Sequence, residues 1–139
     1  MRRELADGFQ LDDDRDRVDV PELHRFLSTE AYWALGRTRE TVERLVREAA
    51  RVVGLYRGDG LVGFARVVSD GVSITYLADV YVLSEFRGRG LGAELVREAV
   101  ENGPHAGQRW MLHTTNAHGL YARFGFGSPS SRVMERPPR

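Results

Sequence analysis

The sequence predicts one mixed α/β (α+β) domain over residues 1–139, in which an antiparallel meander feeds a strand–loop–helix–strand unit. Three observations carry this. The turn signals Gly58-Asp59-Gly60 and Asp70-Gly71 separate three apolar runs, so those runs pair as hairpins. The glycine-rich stretch Arg87-Gly88-Arg89-Gly90-Leu91-Gly92 then interrupts the pattern. Beyond it apolar residues recur at helical spacing and a further strand follows, which sets the two flanking strands parallel.

Each element follows in order. Phe9 to Leu11 reads as a short first strand. Asp12-Asp13-Asp14, with Asp16 and Asp19 nearby, reads as a solvated turn and not a metal site, because nothing fixes a ligand spacing. Val20 to Leu27 is a helix, with Asp19 as N-cap and Pro21 in its first turn; Leu23, Phe26 and Leu27 share a face. Ala31-Tyr32-Trp33-Ala34-Leu35-Gly36 is apolar but too short to be an element. Thr38 caps a second helix to about Ala50, with Val42, Leu45, Val46 and Ala49 as its stripe. The meander strands are Arg51 to Tyr56, Leu61 to Val68 and Ile74 to Leu83. Leu91 to Val100 is helical and stops at Asn102-Gly103-Pro104. Arg109 to Thr114 is a strand, and Asn116 caps a short helix from Ala117 to Phe124 that ends at Gly125. A last short strand is expected around Arg132 to Glu135.

Composition narrows the function classes. The chain has no cysteine, which excludes a disulfide framework, a thiolate metal site and a cysteine nucleophile. Its 20 basic residues balance 20 acidic ones, against the basic excess usual in nucleic-acid binders. Every basic residue is arginine, so a lysine Schiff base and a P-loop lysine are ruled out. Codon bias is the simplest reason for that preference. The N-terminus carries no apolar run and no segment is apolar enough for a bilayer, so a soluble, cytoplasmic protein is expected.

The glycine loop carries the chemistry. Glycines between a strand and a helix let the backbone approach a ligand. The helix's first N–H groups lack internal partners and, with the helix dipole, form an anion site. Arg87 and Arg89 add charge for phosphate contacts. Gly88-x-Gly90-x-x-Ala93 formally fits the dinucleotide fingerprint. That motif needs an early βαβ unit and an acidic residue at the end of the next strand. Here hairpins precede it and the next strand ends His113-Thr114, so the context fails.

At this point the sequence resembles the GNAT superfamily of acetyl-CoA-dependent N-acetyltransferases. Arg87-Gly88-Arg89-Gly90-Leu91-Gly92, after Asp79-Val80-Tyr81-Val82, is similar to the family's cofactor loop. Trp110 to Thr114, the segment Ala117 to Tyr121 and Gly125-Phe126 are similar to its later motif. The likeness covers nearly the whole chain, and Ala31-Tyr32-Trp33-Ala34 looks like a bacterial subgroup with unassigned acceptors. Two positions depart: Ser84 stands where the family often has proline, and Thr114 where it often has asparagine.

The resemblance implies a GNAT-like fold with splayed parallel strands, acetyl-CoA as cofactor and a primary amine of a small molecule or peptide as acceptor. It implies pyrophosphate binding by Arg87, Gly88, Arg89, Gly90, Leu91 and Gly92, and pantetheine contacts from Val80, Val82 and Thr114. Val80 N–H is the candidate for the thioester oxygen. Tyr121 is the candidate general acid, although a phenol near pKa ~10 is a weak acid toward a thiolate of about 8.5. Asp79, His113, His118 or water are open as the base. Tyr32 and Trp33 are candidates for the acceptor site through their ring faces. No metal, nucleic acid or membrane partner is expected, and either a monomer or a homodimer is compatible. The rival expectations are a non-catalytic acyl-CoA-binding regulatory module and a domain that binds no cofactor.

Overall fold

A computed structural model describes residues 1–139. Six strands form one sheet in sequence order. They are β1 (Arg2–Glu4), β2 (Phe9–Asp12), β3 (Arg51–Arg57), β4 (Gly60–Ser69), β5 (Ile74–Val82) and β6 (Arg109–Met111). All neighbours are antiparallel except β5 and β6. The helices are α1 (Val20–Thr29), α2 (Arg39–Glu48), α3 (Leu91–Val100) and α4 (His118–Ala122). The predicted meander and the parallel crossover through α3 are both present.

The caps explain where the helices begin. Asp19 accepts from Glu22 N–H at the start of α1, and Thr38 accepts from Thr41 N–H at the start of α2. α1 and α2 bury Leu23, Phe26, Leu27, Val42 and Val46 on one sheet face, against Val52, Tyr56 and Phe64. α3 buries Leu91, Leu95, Val96 and Ala99 on the opposite face, against Leu11, Val53, Leu55 and Val67. The sheet is therefore sandwiched, and its strands read as near-continuous apolar runs.

Some expectations need correction. β1 was not expected, because Arg2-Arg3-Glu4 has no apolar alternation; it is a charged edge strand. The strand expected at Arg132 to Glu135 is absent, and a turn closed by Val133 N–H on Ser130 O stands there. The strand expected to reach Thr114 leaves the ladder after Met111. Asn116 does not cap α4; Thr114 Oγ1 accepts from Ala117 N–H instead.

A charge network ties the N-terminus to α3. Buried Arg51 donates to the Glu98 carboxylate and carbonyl and to Asp13, while Arg3 bridges Glu94 and Glu98. Gly103 makes room for it: a Cβ there would lie 2.6 Å from Arg51 Nη1.

Candidate active site

The site begins with a fault in the sheet. β4 and β5 keep one register through Gly63↔Val82 and Phe64↔Tyr81, then shift so that Arg66 faces Ala78. Asp79 and Val80 thus oppose Ala65 alone, and Asp79 takes the left-handed conformation at φ 55°. This is a β-bulge, which bends the strand and leaves one residue unpaired.

A second fault lies on the other edge. β5 pairs with β6 only through Ile74, Thr75 and Tyr76. From Leu77 onward the strands diverge around a cleft of about 430 Å³. The two faults face the same space. Leu83 N–H donates to Val62 O, so Val82 and Gly63 form a non-hydrogen-bonded pair and the Val82 amide turns toward the splay. By the same alternation Val80 turns its amide the same way.

The splay ends at α3. Gly90 is its N-cap at φ 78° and offers no capping side chain, and Gly88 has φ 79°. Both are conformations that side chains resist. The N–H groups of the first helical turn therefore lie open. A Cβ on Gly92 would sit 4.0 Å from Val82 and Leu120 side-chain carbons, so this turn abuts both the strand end and α4. The two arginines of the loop diverge. Arg87 Nε donates to Val82 O at 2.9 Å, pinning the loop to the strand. Arg89 lies over the Phe86 ring and lines a separate hollow with Leu5, Asp7, Phe9 and Glu94.

The cleft brings together most residues singled out from sequence: Tyr32, Trp33, Asp79, Val80, Thr114 and Tyr121 all line it, as does His113. His118 does not. Tyr121 is buried, and burial with the neighbouring Tyr32 pushes its phenol up to about 12. Its hydroxyl has no partner within the protein. Thr114 Oγ1 is committed as an acceptor and retains its own O–H donor.

Asp79 is held from three sides. Arg66 Nε donates at 2.8 Å, Arg37 Nη1 reaches both carboxylate oxygens at 3.0 Å, and Trp33 Nε1 donates at 2.8 Å. Burial acts to raise its pKa, but Arg66, then Arg37 and Trp33, outweigh it and hold the carboxyl below its ordinary value. Such a carboxylate is a weak base with no free lone pair toward the cleft. The pairing with Arg66 was foreseeable from adjacent strands; Arg37 was not.

The aromatic pair straps the cleft. Trp33 anchors on β5 through Asp79, while Tyr32 accepts from Thr115 N–H at 3.0 Å on the far wall. Their rings meet edge to face, 5.0 Å apart. At the rim, Tyr76 O–H and the Glu135 carboxylate take the two ring nitrogens of His113. Glu135 belongs to the segment expected to be a strand. As a connector it carries a carboxylate back to the cleft.

No helix is long and apolar enough to cross a membrane. No cluster of His, Cys, Asp and Glu suited to a metal ion occurs.

Comparison with known proteins agrees with this architecture. A protein of Gibberella zeae, itself provisionally an acetyltransferase, is 40% identical over 65 residues, spanning 45% of this chain and 36% of that protein. The chain therefore spans about a third of the length of that curated relative. A GNAT-family crystal structure from Xanthomonas campestris superposes with TM-score 0.88 at 35% identity, covering 94% of this chain and 93% of that one. A structure from Deinococcus radiodurans superposes with TM-score 0.75 at 23% identity over 98% and 94% of the two chains, which speaks to the fold alone. Residues 10–126 match the Acetyltransferase (GNAT) family, and the chain belongs to it.

Proposed function

We propose that the protein transfers an acetyl group from acetyl-CoA to a primary amine of a small molecule or peptide by direct attack. One observation carries the reading: a bulged strand and its splayed neighbour flank one cleft, and the helix that starts at Gly90 without a capping side chain packs its first turn against the end of that strand. A pantetheine arm needs backbone partners along its length, and a pyrophosphate needs a helix N-terminus. The residues present fit both demands. Positive φ at Gly88 and Gly90, with no atom within 4 Å of either Cβ position, leaves room for phosphates against the backbone.

Bound acetyl-CoA supplies an acyl group activated as a thioester. The chain's own groups do the rest. Val80 N–H donates to the carbonyl oxygen as it gains charge, a fixed dipole that needs no reorganisation. Val82 N–H and Thr114 O–H orient the arm. Gly88 to Gly92 hold the pyrophosphate, with Arg87 pinned beside them. Tyr121, protonated and without a partner, donates to the departing sulfur. Its raised pKa makes it a hydrogen-bond donor more than an acid.

For the proton of the amine, the three-sided grip on Asp79 favours another acceptor. With Glu135 accepting from His113 Nε2, Nδ1 is left to accept from Tyr76. The proton passes to the Tyr76 oxygen as Tyr76 gives its own to His113, and Glu135 steadies the imidazolium. Asp79 positions the Trp33 and Arg37 side chains.

Thermal denaturation with acetyl-CoA tests the cofactor. Ligand at 100 times its Kd raises stability by about 2.7 kcal/mol, and no shift at millimolar acetyl-CoA would sink the reading. Thiol release over an amine panel tests turnover, and binding without any release would leave only a cofactor-binding module. Tyr121→Phe should retain acetyl-CoA affinity and lose roughly 10²-fold in kcat.

A further inference from the structure

The Asp79 cluster holds more positive charge than it neutralises. Two guanidiniums, Arg37 and Arg66, share one carboxylate. Arg66 spends only Nε and Arg37 only Nη1 on Asp79. The Nη1 and Nη2 groups of Arg66, and the Nε and Nη2 groups of Arg37, have no acceptor in the protein. Both side chains are largely buried, 12% and 24% exposed, and both line the cleft. Largely buried charge is costly unless paired. An acceptor would not meet the carboxylate: the Asp79 side chain is 2% exposed, closed off by the two guanidiniums and Trp33. The other acid near the cleft is Glu135, which is 61% exposed at the rim and already paired with His113. Its field is screened by water.

We infer that the acceptor amine carries an anionic group, a carboxylate or a phosphate, and that Arg37 and Arg66 bind it. This rests on the acyltransferase reading and names the substrate class of that same cleft. Guanidinium donors match planar or tetrahedral oxyanions in forked geometry. Val80 follows Asp79 in sequence, so the anion-binding donors and the acyl-binding amide belong to one strand segment. A short aliphatic chain between anion and amine would lie along the exposed Tyr32 and Trp33 rings. The arginines fix which amines enter; they are specificity-determining residues.

The test uses matched acceptors. Amino acids from glycine to 6-aminohexanoate are compared with their primary amides, and 3-aminopropyl phosphate with 3-amino-1-propanol, by thiol release with acetyl-CoA. The best anionic member should exceed its neutral partner in kcat/KM by roughly 10- to 100-fold, as for a charge-assisted contact. The carboxylate and phosphate arms say which anion is read. Arg37→Gln should bring the ratio down toward unity. Thermal shift with CoA plus 4-acetamidobutyrate or its amide reads the same preference without turnover and stands if Arg37→Gln folds poorly. Equal or better use of the neutral amines, or equal shifts from the two acetamides, overturns the anion site while leaving acyl transfer intact. Absence of any thiol release, with 4-acetamidobutyrate still stabilising more than its amide, overturns acyl transfer and keeps the anion site.

Discussion

Asp79→Asn separates a structural carboxylate from a catalytic one. Asparagine is isosteric with aspartate and tolerates the left-handed conformation at φ 55°, so the bulge survives. Its amide oxygen still accepts from Trp33. Only the charge is lost, and it leaves Arg37 and Arg66 together without a counter-ion. Removing one partner of a buried pair costs about 3–5 kcal/mol. The guanidiniums keep 24% and 12% exposure and can lean toward water in the cleft, so the lower figure applies, about 3 kcal/mol. For a chain of this size each kcal/mol moves the melting temperature by about 3–4 °C, giving a fall of about 10 °C.

The sign with pH follows from the lowered pKa. A carboxyl whose folded pKa lies below its unfolded value stabilises the fold above the unfolded value, near ~3.9, and ceases to do so as pH falls through the folded one. The gap between wild type and Asp79→Asn should be full at pH 7 and close in acid below about 4. Urea unfolding at both pH values, with thiol-release kinetics at pH 7, provides the assay. A stability loss under about 1 kcal/mol, the level of an exposed pair, would refute the ion-pair account. If that small loss came with abolished kcat and unchanged acetyl-CoA affinity, Asp79 would be the base after all.

Other consequences are more local. Gly90→Ala forces a side chain into left-handed backbone at a cost of about 1–2 kcal/mol, and should lose most of the acetyl-CoA thermal shift as the loop yields. Gly103→Ala puts a Cβ 2.6 Å from Arg51 Nη1 and should destabilise by about 1–3 kcal/mol in urea without altering KM for acetyl-CoA. His113→Asn should lower kcat by roughly 10²-fold at constant acetyl-CoA KM, and Glu135→Gln should lower it less. Because burial pushes Tyr121 up to about 12, its donor form persists at higher pH than a free phenol's, so its contribution to kcat should hold level through pH ~10.

The regular parts of the fold were legible because they obey periodicity. Leu91 to Val100 has helical spacing between a glycine cap and a glycine stop, and it forms α3 with those bounds. The meander was legible through its turns. What escaped depends on register or on distance along the chain. The bulge at Asp79 and Val80 exists only relative to Ala65 on β4, and a single strand does not state its partner's register. Arg37 reaches Asp79 across 42 residues, and only the aromatic run just before it hinted at a role. Glu135 looked like part of a strand since Val133 and Met134 are apolar; both are exposed, and no neighbour offers them a ladder. Thr114 carries a bond that its strand position does not announce: its Oγ1 accepts from Ala117 N–H just ahead of α4, leaving its own O–H free to donate.

The interruptions also bear on why the site is where it is. A bulge, a strand divergence and an uncapped helix start would each be a defect inside a core, since a buried polar group without a partner costs about 1–3 kcal/mol. Here the bulge and the divergence open to one cleft and the helix start adjoins the end of the same strand, so water meets their needs in the free protein and a single extended ligand could meet them together. The surroundings are correspondingly stiff. Leu95 and Val96 anchor α3 on the sheet behind the loop, Arg51 locks α3 to the N-terminal segment, and Trp33 with Tyr32 braces the two walls apart. Open backbone donors on rigid elements bind without ordering cost, which is the condition for spending binding energy on orientation. The same rigidity explains the two arginines. A carboxylate is needed on the bulge to hold Trp33 and Arg37, one guanidinium neutralises it, and the second is surplus to the fold. Surplus charge kept largely out of water beside the bulge of β5 is accounted for if the acceptor completes the pair.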